Sequence, residues 1–174
     1  MIINNISNFS NTSNYLPILN AIIITDLFVL SRVVFRQINI KSLNEWYNKY
    51  GLSAILTDVL SIMIGIILTR FLYPFIFNKF NIILFCILAV CIQVTHDLLF
   101  AVLFNVIPRG YSKMLDTFKN YGNEVGFTIL IADALMMISS ILIGSWLNNL
   151  TFNTNLILLI VLLYITPYFL YSIK

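Results

Sequence analysis

Apolar residues gather into five long runs, at 16–35, 52–77, 82–107, 125–147 and 156–173, with polar residues collected between them. A helix needs about 20 apolar residues to cross a hydrocarbon core about 30 Å thick. The runs are continuous, whereas a barrel strand would alternate over about ten residues, so they predict membrane helices. The second and third runs are long enough to require a tilt or a kink. The fifth is the shortest and contains Pro167. Between the first and second runs, Ile40, Leu43, Tyr47 and Tyr50 recur at spacings near three and four. Tyr111, Met114, Phe118 and Tyr121 do the same between the third and fourth. This spacing predicts amphipathic helices lying among the lipid headgroups on aromatic anchors.

The expected fold is therefore an all-α integral membrane bundle of five transmembrane helices. Residues 1–15 form a polar extracytoplasmic tail. Residues 16–77 form repeat one, with linker 38–50, and residues 78–147 repeat two, with linker 109–122. Residues 148–174 supply the fifth helix.

Composition agrees with this pattern. Hydrophobic residues make up 60% of the 174 and charged residues 10%, against about 25% charged in a soluble domain. That excludes a disordered chain and an ordinary cytosolic enzyme. The net charge of +3 is too small for a nucleic-acid surface. One histidine and two cysteines, Cys86 and Cys91, form no metal motif. No phosphate loop, histidine cluster or nucleophile–base pair is present, so neither an enzyme nor a cofactor is expected. Residues 1–14 lack the basic and apolar regions of a signal peptide, and the first span is expected to direct insertion.

Charge is unevenly shared among the connections. The first carries Arg36, Lys41 and Lys49, and the third Arg109, Lys113 and Lys119. The second has only Lys79, and the tail and the fourth have no Lys or Arg. The positive-inside rule places the amino terminus outside and the carboxyl terminus, with Lys174, in the cytoplasm. Asn-x-Ser/Thr sequons at Asn5, Asn8, Asn11 and Asn149 fall on the outer side, but chance sequons are expected in a chain rich in Asn.

A shift of 71 residues sets Asp26 on Asp97, Glu45 on Asp116 and Tyr50-Gly51 on Tyr121-Gly122. Four extra residues after the second Tyr-Gly raise the offset to 75, where Asp58 meets Asp133 within AILTDVLSIMIG and ILIADALMMISS. These matches point to an internal duplication. Its copies would be parallel repeats about an axis along the membrane normal.

The candidate chemistry lies in the aspartates. Four of the five runs hold one each: Asp26, Asp58, Asp97 and Asp133. An ionised side chain at the bilayer centre costs about 2.5–3.5 kcal/mol. Four facing lipid would cost on the order of 10 kcal/mol, so they should face one another, water or a cation, or carry protons. At about 1.5 Å per residue, all four lie about 10–18 Å from the inner edge. Asp58, Ser61, Gly65 and Thr69 form one helix stripe, and Gly126, Asp133, Ser140 and Gly144 another, of the small polar kind used for packing in lipid. Gln93, His96, Asp97 and Ala101 share a face of the third helix, while Asp26 has only aliphatic same-face neighbours. The expected arrangement is a four-helix bundle with an acidic centre and the fifth helix packed outside. Arg32 is expected to snorkel or to pair with an acid of another helix, and Arg70 to snorkel toward the outer interface.

Two functions follow from this reading. In the first, Asp26, Asp58, Asp97, Asp133, His96 and Gln93 form a proton or small-cation pathway. In the second, the acids only bond helices together in a structural membrane component. The segments THDLLFAVLFNVIP and FKNYGNEVGFTILIADALMM, with Tyr50-Gly51 before Asp58, resemble a family of uncharacterised multi-spanning membrane proteins of nucleocytoplasmic large DNA viruses. The resemblance covers two blocks within 46–147. It implies a virion or host endomembrane location. The expected partners are the bilayer, a second copy, or viral membrane and capsid proteins. It assigns no activity and no residue role.

Overall fold

The computed structural model describes residues 4–172. The described residues form seven α-helices and one 3-10 turn, with no strand. The helices are α1 (Tyr15–Val34), α2 (Lys41–Tyr50), α3 (Leu52–Ile76), α4 (Ile82–Val106), α5 (Lys113–Val125), α6 (Thr128–Leu147) and α7 (Phe152–Leu170). Five of them, α1, α3, α4, α6 and α7, are long and apolar enough to cross a membrane. The fold is an all-α membrane bundle, and the chain is a multi-pass membrane protein. Lys174 lies outside the described residues.

Local chemistry sets the helix boundaries. Asn81 caps α4 by accepting from the backbone N–H groups of Ile83 and Leu84, at 2.9 and 3.3 Å. Ser112 caps α5 and Thr151 caps α7 in the same way. Gly51 and Gly126 turn the chain from linker helix into span with φ of +54° and +61°, a region open to glycine at little cost. Pro74 and Pro167 sit inside the last turns of α3 and α7, which continue to Ile76 and Leu170.

The bundle has two ends. The linker end carries α2 and α5. The tail end carries the amino-terminal segment and the turns between α3 and α4 and between α6 and α7. α1 is the most buried span and packs along α6, α7 and α3. Gly144 lets α6 approach α1 closely: a Cβ there would lie 3.3 Å from the Ile18 Cα. Gly65 does the same for α3, with Met137 Cε 2.7 Å from the Cβ position. α7 sits at the rim against α1, tied by Asn20 Nδ2 donating to the Asn155 carbonyl at 2.8 Å.

Several expectations need correcting. The second linker helix runs to Val125, so Gly122 lies inside it, and the hinge falls on Gly126. Gly126 therefore precedes α6 and belongs to no packing stripe; nothing lies within 4 Å of its Cβ position. The fifth helix begins at Phe152, four residues early, because Thr151 supplies its cap. Tyr47 is buried and turns inward instead of anchoring in headgroups. Ala101 is exposed. The tail docks on the bundle through Ile6, which is fully buried, and through Ser145 Oγ donating to the Asn4 carbonyl at 2.6 Å. Arg70 does not snorkel but is fully buried beneath that tail.

Candidate proton or cation site

Each predicted acid comes from a different span: Asp26 from α1, Asp58 from α3, Asp97 from α4 and Asp133 from α6. Asp26 lies eight residues before the end of α1, Asp58 six after the start of α3, Asp97 nine before the end of α4, and Asp133 five after the start of α6. At 1.5 Å per residue, all four sit about 8–14 Å inside the linker end. They interact electrostatically in sequence. Asp97 is within Coulombic reach of Asp133, Asp133 of Asp58, and Asp58 of Asp26. The arrangement is a row, not a cage: among the described residues no three His, Cys, Asp or Glu side chains are placed to hold a metal ion.

The two ends of the row differ in exposure. The His96 side chain is 39% exposed and Asp97 14%. Asp133 and Asp58 are partly buried, and Asp26 is 0% exposed. His96 Nδ1 lies 3.1 Å from Asp97 Oδ1, and its ring packs, tilted, with its centroid 4.3 Å from that of Phe100. Gln93 Nε2 donates to the same Asp97 oxygen at 2.8 Å. Asp97 Oδ2 and both Asp26 oxygens are buried without a hydrogen-bond partner. The four packing residues lie nearer the tail end. Gly65 and Gly144 sit at close helix approaches, Ser140 is fully buried with an unpartnered Oγ, and Ser61 is half-buried.

Three aromatic residues of the linkers belong to the site: Trp46, outside the spaced pattern, and Tyr47 and Tyr121, which the pattern placed as headgroup anchors. Trp46 Nε1 donates to Asp58 Oδ2 at 3.0 Å. Tyr47 faces the row. Burial first, then the charges of Asp26 and Asp58, Tyr121 and finally Asp133, hold its phenol well above the usual tyrosine range. Tyr121 is pushed up to about 12 by burial, then by Asp133, Asp58 and Glu124. Both phenols therefore stay protonated at neutral pH and roof the acids with neutral O–H groups. The signal was present in the alternation of each linker, but headgroup anchoring and inward packing share the same periodicity.

The roof is held shut by contacts between α2 and α5. Glu124 accepts from the backbone N–H of Lys41 at 2.9 Å, from that of Ser42 at 2.8 Å and from Ser42 Oγ at 2.5 Å. These bonds hold its carboxyl below the usual range, the Ser42 hydroxyl contributing most. The Tyr50 hydroxyl meets Thr117 Oγ1 at 3.1 Å, and Trp46 packs 4.5 Å from Phe118. Lys119 Nζ donates to the Ile107 carbonyl, tying α5 to the end of α4.

No protein-family model, curated protein or solved structure matches this chain.

Proposed function

We propose that the protein binds and relays protons, or small cations, through Asp97, Asp133, Asp58 and Asp26, with His96 beside Asp97 at the exposed end of the row. The observation that carries this reading is the contrast between the two ends of the row, His96 at 39% exposed and Asp26 at 0%. A relay needs an accessible titratable group at one end, carboxyls within reach of one another, and carboxyl oxygens not all held by other partners. Gln93 and His96 hold one Asp97 oxygen and leave the other free. The structural alternative needs acids bonded from span to span. Among the described residues the bonds of the four acids come from their own helix or from Trp46 of a linker.

The test is proton or monovalent-cation flux into liposomes holding the purified protein. Wild type is compared with the double variant Asp58→Asn, Asp133→Asn. Flux in the wild type and loss in the variant support the relay. Equal flux in both, or none in the wild type, removes it.

The two-repeat organisation belongs to the same proposal, in a revised register. An offset of 75 superposes Gly51 on Gly126, Asp58 on Asp133 and Trp46 on Tyr121, each aromatic twelve residues before its acid. The contacts Tyr50–Thr117 and Ser42–Glu124 then become near equivalents across a pseudo-twofold axis. The charge of the connections supports a cytoplasmic linker end and an extracytoplasmic amino terminus. The resemblance to viral multi-spanning proteins supports a virion or host endomembrane location. The test of that location is the protein's abundance in purified particles.

A further inference from the structure

At the tail end, on the opposite side of the molecule from the acids, lies Arg70, the largest fully buried side chain among the described residues. Its Nη2 donates to two tail carbonyls, those of Asn8 and Asn11, the latter at 2.8 Å. The Tyr15 ring lies 4.3 Å from its Cζ. Its Nε and Nη1 are buried without partners, and so is Asn14 Nδ2. Asn14 and Arg70 are neighbours, because the backbone N–H of Asn14 bonds the same Asn11 carbonyl at 3.4 Å. Every unpartnered group here is therefore a donor. Arginine keeps its charge at any accessible pH, and no acid offsets it. All seven acidic residues lie in the linkers or the linker half, the one on its own helix, Asp58, twelve residues away. That is about 18 Å along α3. Water could complete the hydrogen bonds but not neutralise the charge.

We propose that Arg70 and Asn14, closed over by tail residues 8–14, form a binding site for a small inorganic anion of the halide class. The inference is independent of the relay and concerns the other end of the bundle. The occupant must accept hydrogen bonds only, carry negative charge and be small enough to sit beneath the tail. A cation is excluded by the guanidinium. A lipid phosphate is excluded by size, since the tail, with Phe9 packed 5.5 Å from Phe71, covers the approach.

The experiment is thermal unfolding of the purified full chain in detergent, with chloride or gluconate at constant ionic strength. A saturable chloride-specific rise of about 5–10 °C in Tm is expected at a hundredfold excess over Kd. Arg70→Gln should abolish it, and Lys79→Gln, at an exposed cation of the same end, should keep it. No chloride effect in the wild type overturns the proposal, as does an effect that survives Arg70→Gln. Should Arg70→Gln fail to fold, bromide is used on wild-type crystals. An anomalous peak at the guanidinium supports the site, and water density alone overturns it.

Discussion

Asp26 is the residue at which stability and function pull apart. Its carboxyl is fully buried in α1 and neither oxygen has a partner. A buried polar group left unsatisfied costs about 1–3 kcal/mol, while an apolar replacement of similar volume is often neutral or stabilising. Asp26→Leu should therefore unfold at the same temperature as the wild type or higher, while losing proton-coupled flux. A large fall in Tm would show that the carboxyl has a bonding role in the fold. Trp46→Phe should do the reverse on stability. It removes the 3.0 Å bond to Asp58 and leaves that oxygen unpaired, for a loss of about 1–2 kcal/mol in thermal unfolding. The acids themselves were legible in the sequence because a carboxyl in a hydrocarbon run is costly and therefore conspicuous. Their surroundings were not. Asp26 looked isolated because its same-helix neighbours are aliphatic, and its partner acid arrives from another span. Arg70 looked like a snorkelling residue because nothing in a polar, aperiodic tail announces that its backbone carbonyls will fold back as acceptors.

Among the elements, close helix contact and the linker latch make separate predictions. A methyl group at residue 144 would meet backbone, 3.3 Å from the Ile18 Cα, which cannot step aside without moving α1. A methyl group at residue 65 would meet the end of a flexible methionine. Gly144→Ala should therefore cost about 1–3 kcal/mol in unfolding measurements, and Gly65→Ala clearly less. Equal costs would contradict the packing described. The latch depends on pH. The Glu124 carboxyl is held below its ordinary range, so its contribution is complete above that range and is lost as pH falls through the lowered value. In a Trp146→Phe background, the emission of Trp46 should report the linkers loosening as pH falls below the ordinary glutamate range. Glu124→Gln should remove the part of that response due to the latch. An identical response with glutamine would assign all of it to the acids beneath. The five spans were legible from run length alone, because hydrocarbon thickness leaves little freedom. The turn from α5 into α6 was not. Tyr121-Gly122 imitates Tyr50-Gly51, yet Gly122 is accommodated within the helix, and the positive φ moves one turn on to Gly126.

For the molecule as a whole, the asymmetry between the two ends decides what a relay could do. The acids crowd the linker half, and the buried guanidinium occupies the tail half. A cation moving from Asp26 toward the tail end would approach Arg70, whose charge a bound halide would offset, so entry is expected at the exposed end of the row, beside His96 and Asp97, and exit past Arg70. The order of access follows from this. Asp97, at 14% exposed, should react with a hydrophobic carbodiimide before Asp26, at 0%. Peptide mass spectrometry over a labelling time course reads that order directly. Blocking Asp97 first should also slow proton exchange at the other three, because the row then loses its accessible member. Simultaneous labelling of all four would mean that each reaches solvent or lipid independently, and the idea of one connected row would fall. Labelling that begins at Asp26 would place the entrance at the tail end and require Arg70 to move aside.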